Sequence, residues 1–203
     1  MAGEPVAGIV LAGGRSSRMG RDKALVLLAG RPLLAHVLGR LAPQVARVAV
    51  SFNGPPEALA YPGLPLLPDM RGDRPGPLAG VLAGMDWAAD AGARWLVTVP
   101  VDTPFVPRDL VARLAGAAAP GGGPVLAASG SGRHPATAQW PVRLREALRL
   151  ALEQGQRRMA GRALDRGAVT VPFAAAAGPD PFVNLNTPED LAAAEAVLRR
   201  GAP

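Results

Sequence analysis

Residues 6–23 read VAGIVLAGGRSSRMGRDK. The apolar run over 6–11 is too short for a buried helix and stops at paired glycines, the pattern of a strand covered on both faces. A polar loop with glycines and cations follows over 13–22. Two adjacent glycines directly after a strand let the backbone come close to a ligand and turn several N–H groups toward an anion. Arg18 and Lys23 add positive charge suited to a triphosphate. The loop is not a P-loop, which needs Lys directly after Gly and a hydroxyl residue next; Lys23 follows Asp22 and precedes Ala24. It is not GxGxxG either. On its residues alone, it also fits a basic surface turn between strand and helix.

Outward from this stretch, strands and helices alternate. Helical spacing starts at Pro32 and runs over 32–41, with proline where a first helical position prefers it. Strands are expected over 45–52, 64–67 and 95–101. A helix over 78–91, opened by Pro77, carries Leu78, Val81, Leu82, Met85 and Ala89 on one face. Another helix is expected over 107–118. Shorter strands over 125–128 and 137–140 are separated by a loop over 129–134. Helices over 142–154 and 158–165 precede late strands over 169–173 and 182–185. Thr187-Pro188-Glu189-Asp190 opens a last helix, with the threonine as N-cap and acids in the first turn against the dipole. This alternation predicts one α/β domain over 1–203: a three-layer α/β/α sandwich on a mostly parallel, Rossmann-like sheet.

Composition narrows the function. There is no cysteine among the 203 residues, which excludes disulfides, thiolate metal sites and a cysteine nucleophile. The formal net charge of +6 suits a polyanionic partner. The arginines are scattered, without a basic block or interleaved aromatics, which argues against nucleic acid. Lys23 is the one lysine in the chain. A bias of composition toward arginine explains the rarity of lysine; an exception under such a bias marks a place where a compact ammonium serves and a guanidinium does not. The amino-terminal stretch lacks the charged opening of a secretory signal, and no run of about 18 apolar residues is present for a membrane span. The expectation is a cytoplasmic protein.

In a sheet of this kind, ligands bind at the carboxyl ends of the strands. Four loops are expected there: 13–23, the stretch at Asn53, 69–80, and Asp102-Thr103-Pro104. Asp102 ends a strongly apolar strand, and a carboxylate so placed is a hard oxygen ligand for Mg2+, shared with substrate phosphates. A turn aspartate before Thr-Pro fits the same position. Asp69 has the same placement and the same two readings. Asn184 and Asn186 would share a face by strand alternation, although asparagines at a strand end are also ordinary turn residues. His134, in a loop, is a candidate for substrate contact or for a structural role. His36, inside a helical pattern, is expected to be packed.

The stretch from Leu11 to Lys23 resembles the signature of small-pterin and sugar nucleotidyltransferases, roughly LAGGxSxRMGxDK, and carries it complete. Pro68-Asp69, Pro75-Gly76-Pro77-Leu78-Ala79-Gly80, Asp102-Thr103-Pro104, His134-Pro135 and Asn184-Leu185-Asn186-Thr187-Pro188-Glu189-Asp190-Leu191 follow in the order of the MobA-type molybdenum cofactor guanylyltransferases. The resemblance covers nearly the whole chain. It implies a fold like the nucleotide-diphospho-sugar transferases, with Leu11, Ala12 and Gly13 lining the guanine site and Gly14 beside them on GTP. It implies that Lys23 and Arg18 hold the phosphates, that Asp69 contacts the nucleotide and that Asp102 holds Mg2+. Gly76 to Gly80 would shape the active-site floor, and Gly80, Asn184 and Asn186 would face the pterin. One departure stands out. The family often carries asparagine at the end of the second strand, where an ungapped match puts Ser51; the implied GTP contact falls to Ser51, or to Asn53 two residues later.

The implied reaction transfers GMP from GTP to the terminal phosphate of molybdopterin, with or without molybdenum, and releases pyrophosphate. Its attacker is already anionic, so catalysis is positioning and charge neutralisation, without a side-chain nucleophile. Related cytidylyltransferases for the same pterin carry LAAG in this loop, and a Cβ at Gly13 would intrude on the larger purine. The expected partners are GTP and molybdopterin as substrates, and molybdoenzymes or other proteins of cofactor biosynthesis as receivers; nucleic acid and membrane are not expected. The first loop and Asp102 are equally compatible with a nucleotidyltransferase using CTP, or a sugar phosphate or phospholactate acceptor. A non-catalytic GTP-binding protein that delivers cofactor is the third reading.

Overall fold

The computed structural model describes residues 5–13, 22–59, 61, 63–68, 76–155, 167–174 and 179–201. In chain order the elements are β1 (Val6–Leu11), β2 (Leu27–Leu28), β3 (Arg31–Pro32), α1 (Leu33–Leu41), β4 (Arg47–Ser51), β5 (Leu66–Leu67) and α2 (Pro77–Asp90). Then come β6 (Trp95–Pro100), α3 (Leu110–Gly116), β7 (Val125–Ser129), β8 (Gly132–Pro141), α4 (Arg145–Glu153), β9 (Val169–Pro172) and α5 (Pro188–Arg199). The sheet runs β5-β4-β1-β6-β8-β7-β9, with β2 and β3 as a separate small hairpin. Among the described strands of the sheet, β8 alone runs against the others, pairing antiparallel with β6 and β7. The carboxyl ends of β1, β4, β5, β6, β7 and β9 therefore share one edge, and β8 begins there.

Side-chain alternation along the strands sends apolar residues to both faces, and each face is covered, which makes the three layers. On one face Val10, Val50, Val97 and Val99 pack with Leu34, Val37 and Leu41 of α1 and Leu110 and Leu114 of α3. On the other, Ala7, Ile9, Leu96, Ala138 and Trp140 pack with Leu78, Val81, Leu82 and Met85 of α2 and Leu148 of α4. The α2 helix lies so close to the sheet that a Cβ at Gly84 would stand 2.9 Å from Ile9 Cδ1 and from Leu96 Cδ2. A third, smaller core joins the β2–β3 hairpin to α5 through Val26, Leu28, Leu33, Leu185 and Ala194. Thus the last helix is tied to the first loop region of the chain.

Three details differ from the sequence reading. The expected loop over 129–134 is a tight hairpin, with β7 reaching Ser129 and β8 starting at Gly132. Its cause is an irregularity in pairing: Leu126 pairs with Ala138, but the next residue, Ala127, pairs with His134. The intervening residues 135–137 bulge out, at a proline that has no N–H for the ladder. The expected strand over 182–185 is absent: Phe182 lies in a turn, and the Leu185 N–H donates to Asp102 O instead of to a sheet. The helix expected over 107–118 is confined to Leu110–Gly116, after turns. The helix expected over 158–165 lies outside the described residues.

Candidate active site

β1 delivers the first loop at the common edge. Leu11 stands in register with Ser51 of β4 and Pro100 of β6. Just beyond the strand ends, Ala12 N donates to Ser51 O at 2.9 Å and Val101 N to Leu11 O at 3.1 Å. Leu11, Ala12, Gly13, Ser51 and Asp102 therefore lie within a step or two of one another at one edge. Ser51 is buried and Asn53 is exposed, so the two residues offered for a nucleotide contact face different surroundings. Gly80 is buried in the first turn of α2, which also starts at this edge. Gly76, in the left-handed region at φ 69°, turns the chain into that helix, and Pro77 takes its first position. Gly14, Arg18 and Asp69 lie outside the described residues.

Lys23 begins a single 3-10 turn, Lys23–Leu25, capped by the Asp22 carboxylate, which accepts from Ala24 N at 3.0 Å. Its ammonium donates to Asp102 Oδ2 at 2.7 Å and also to Asn186 Oδ1. The Lys23 and Asp102 side chains are only 18% and 17% exposed. Three residues from the first loop, the end of β6 and the approach to α5 thus meet at one point. The tight turn after β6 presents Asp102: Thr103, buried, donates its hydroxyl to Pro100 O at 2.8 Å, and Val106 N donates to Thr103 O. The sequence reading had no role for Thr103. Its local signal was the hydroxyl beside the turn aspartate, since threonine readily bonds nearby backbone.

The other side of the meeting point is held by α5. Asp190 Oδ2 accepts from Asn186 N at 2.8 Å and Thr187 N at 2.9 Å, while Thr187 Oγ1 accepts from Asp190 N, a full capping box. The backbone N–H groups of Asn186 and Thr187 hold the Asp190 carboxyl below its ordinary value, with a smaller contribution from the Lys23 charge. Asn184 is exposed, Leu185 buried and Asn186 half-buried, and no strand holds them. Leu185 N donates to Asp102 O at 2.9 Å and ties this segment to the metal candidate. His134 also reaches the edge, where its Nε2 lies 2.7 Å from Ser129 Oγ. His36 is packed as expected, its Nε2 2.8 Å from Leu28 O.

This assembly is a cation, a carboxylate and an amide at the mouth of strand ends, beside glycine-bearing backbone. It suits binding a polyphosphate and moving charge onto it. The family model for the MobA-like NTP transferase domain matches residues 8–168. The chain belongs to the MobA-like NTP transferase family. Within this family it is 52% identical over 199 residues to a molybdenum cofactor guanylyltransferase of Rhodobacter capsulatus, covering 98% of this chain and 99% of the relative. It is 46% identical over 197 residues to one of Acidiphilium cryptum, covering 96% of each. The fold is like that of molybdopterin-guanine dinucleotide biosynthesis protein A from Archaeoglobus fulgidus, with a TM-score of 0.73 at 23% identity over 96% of this chain and 99% of that one. It is equally like 4-diphosphocytidyl-2C-methyl-D-erythritolsynthase from Anaerococcus prevotii, with a TM-score of 0.75 at 16% identity over 97% and 99%. The fold is thus common to enzymes named for different nucleotides. Asn184, Asn186 and α5 lie beyond the stretch that the family model matches.

Proposed function

We infer that the chain transfers GMP from GTP to the terminal phosphate of molybdopterin, forming molybdopterin guanine dinucleotide and pyrophosphate. The observation that carries this reading is the junction of Lys23, Asp102 and Asn186. It puts a residue suited to phosphate, a residue suited to a metal and a residue suited to the acceptor in direct contact. Sequence identity near one half to relatives named for guanylyl transfer supports the choice of base and acceptor.

Among the described residues no group of three or more His, Asp or Glu side chains could hold a metal. One carboxylate at a phosphate site fits Mg2+, which takes most of its shell from water and substrate phosphates. Bound there, Mg2+ would supply positive charge against the phosphates. Lys23 does the same from its own side, as a compact cation that three donors can share among phosphate oxygens and Asn186. The backbone of Leu11, Ala12 and Gly13 borders the base, with Gly14, Arg18 and Asp69 completing the nucleotide side. Asn184 and Asn186 present amides that both donate and accept, suited to a pterin. The acceptor phosphate then attacks the α-phosphorus in line, its O–P bond forming as the bond to the pyrophosphate oxygen breaks. The test is incubation with GTP, Mg2+ and molybdopterin, followed by mass analysis of the product and assay of pyrophosphate. Asp102→Ala should lower turnover by roughly 10²-fold or more. Retained turnover in that variant, or pyrophosphate release that does not depend on molybdopterin, would overturn the reading.

A further inference from the structure

A cluster of polar side chains sits at the same sheet edge, away from Lys23. Ser129 ends β7, Ser131 lies in the hairpin, His134 pairs with Ala127 in β8 and Asp180 precedes the asparagine segment. Ser129 Oγ and Ser131 Oγ both donate to Asp180 Oδ2, at 2.5 and 2.7 Å. Asp180 Oδ1 accepts from Phe182 N at 2.9 Å. A hydroxyl has one proton, and Ser129 gives it to the carboxylate, so at the 2.7 Å contact with His134 Ser129 can only accept. His134 therefore carries its proton on Nε2. Burial lowers the His134 pKa, partly offset by the Asp180 charge, in keeping with a neutral ring. This is not a nucleophile triad, because the serine proton points to the carboxylate and not to an imidazole base.

The cluster anchors a turn. Val183 N donates to Asp180 O at 3.1 Å, and Phe182 is buried with its ring 4.7 Å from His134 and edge-on to Phe173 at 5.3 Å. From that turn the chain passes directly through Asn184, Leu185 and Asn186 to the capping box of α5. The segment is thus a bridge held at two ends, by Asp180 on one side and Asp190 on the other. The far end touches Lys23 through Asn186; the near end supports Asn184. We propose that Asp180, clamped by Ser129 and Ser131 and backed by His134, is a positioning residue for the acceptor molecule. It sets the near end of the segment that carries Asn184, and this rests on the pterin-facing reading of that segment.

Steady-state pyrophosphate release by the full chain, with GTP and molybdopterin varied separately, tests this. Asp180→Ala should raise the molybdopterin KM by ~10-fold, the size expected for lost hydrogen bonds to a charged group, with the GTP KM within about 2-fold. Asp180→Asn should recover most of the loss, since its amide still accepts from Phe182 N and can donate to Ser129. Ser129→Ala should move the same constant, less far, and carries the test if Asp180→Ala does not fold. Equal rises in both KM values, a fall in kcat alone, or an unchanged molybdopterin KM in a folded variant would overturn the proposal. A wild-type chain that uses GTP with another acceptor but not with molybdopterin would instead remove the acceptor reading, and this proposal with it.

Discussion

Replacing Lys23 by methionine and Asp102 by asparagine, singly and together, separates the two services their contact performs. The pair meets at 2.7 Å with side chains 18% and 17% exposed. Exposed ion pairs contribute about 0–1 kcal/mol, while removing one partner of a buried pair costs about 3–5 kcal/mol. At this burial each single variant should lose about 1–2 kcal/mol, because each leaves its former partner partly desolvated. The double variant removes both charges, so its loss should be smaller than the sum by about 1 kcal/mol. Urea unfolding with an unchanged m-value reads this coupling as a shift of midpoint. Turnover should behave differently: each single variant should fall by ~10²-fold or more, and the double variant should not recover, because the substrate phosphates lose their cation either way. Additivity of the stability losses to within about 0.3 kcal/mol would refute the contact. Recovery of turnover in the double variant would show that the reaction requires neither charge.

Gly13→Ala should lower turnover with GTP more than any turnover with CTP; equal losses would remove the steric basis for choosing guanine. Thr187→Ala removes the N-cap of α5 and should cost about 1 kcal/mol in unfolding experiments, together with turnover, since the cap orders Asn186. Thr137 Oγ1 is buried and, among the described residues, has no hydrogen-bond partner. Thr137→Val should therefore stabilise the chain by about 1 kcal/mol in the same measurement, and destabilisation of that size would mean the hydroxyl is satisfied. Burial would raise the Asp180 pKa from its ordinary 3.8, but the hydroxyls of Ser129 and Ser131 and the Phe182 N–H outweigh burial and lower it. Its folded value lies below its unfolded one, so its stabilisation is present above the unfolded value and is lost as pH falls through the folded one. Asp180→Asn should flatten that acid limb; an unchanged limb would show the hydrogen bonds to be weak.

Much of the site was legible in local chemistry. The apolar run over 6–11, closed by glycines, is strand β1 with the same limits. Thr187 followed by Pro188, Glu189 and Asp190 announced a capped helix, and the full box is there. Pro77 behind Gly76 opened α2 as its position suggested. The hairpin at 130–131 and the bulge over 135–137 were hidden, because proline, alanine and threonine in a row carry no period by which a strand could be read. The segment over 182–185 misled for the opposite reason. Its apolar Phe182, Val183 and Leu185 suit a short strand, yet Phe182 and Leu185 are buried in two different cores by a chain outside the sheet.

Taken alone, the order of residues determined the alternating α/β layers and the residue types that the first loop carries. Those follow from periodicity, turn chemistry and charge, which act over a few neighbours. That Lys23 touches both Asp102 and Asn186, that Leu185 hangs from the Asp102 carbonyl, and that two serines and a histidine brace Asp180 were decided only by the tertiary structure. These contacts span tens to more than a hundred residues and arise because parallel strands bring distant loops to one edge. Local sequence has no means of expressing that distance, whereas the packing of helices on both faces leaves the chain no other place to put them.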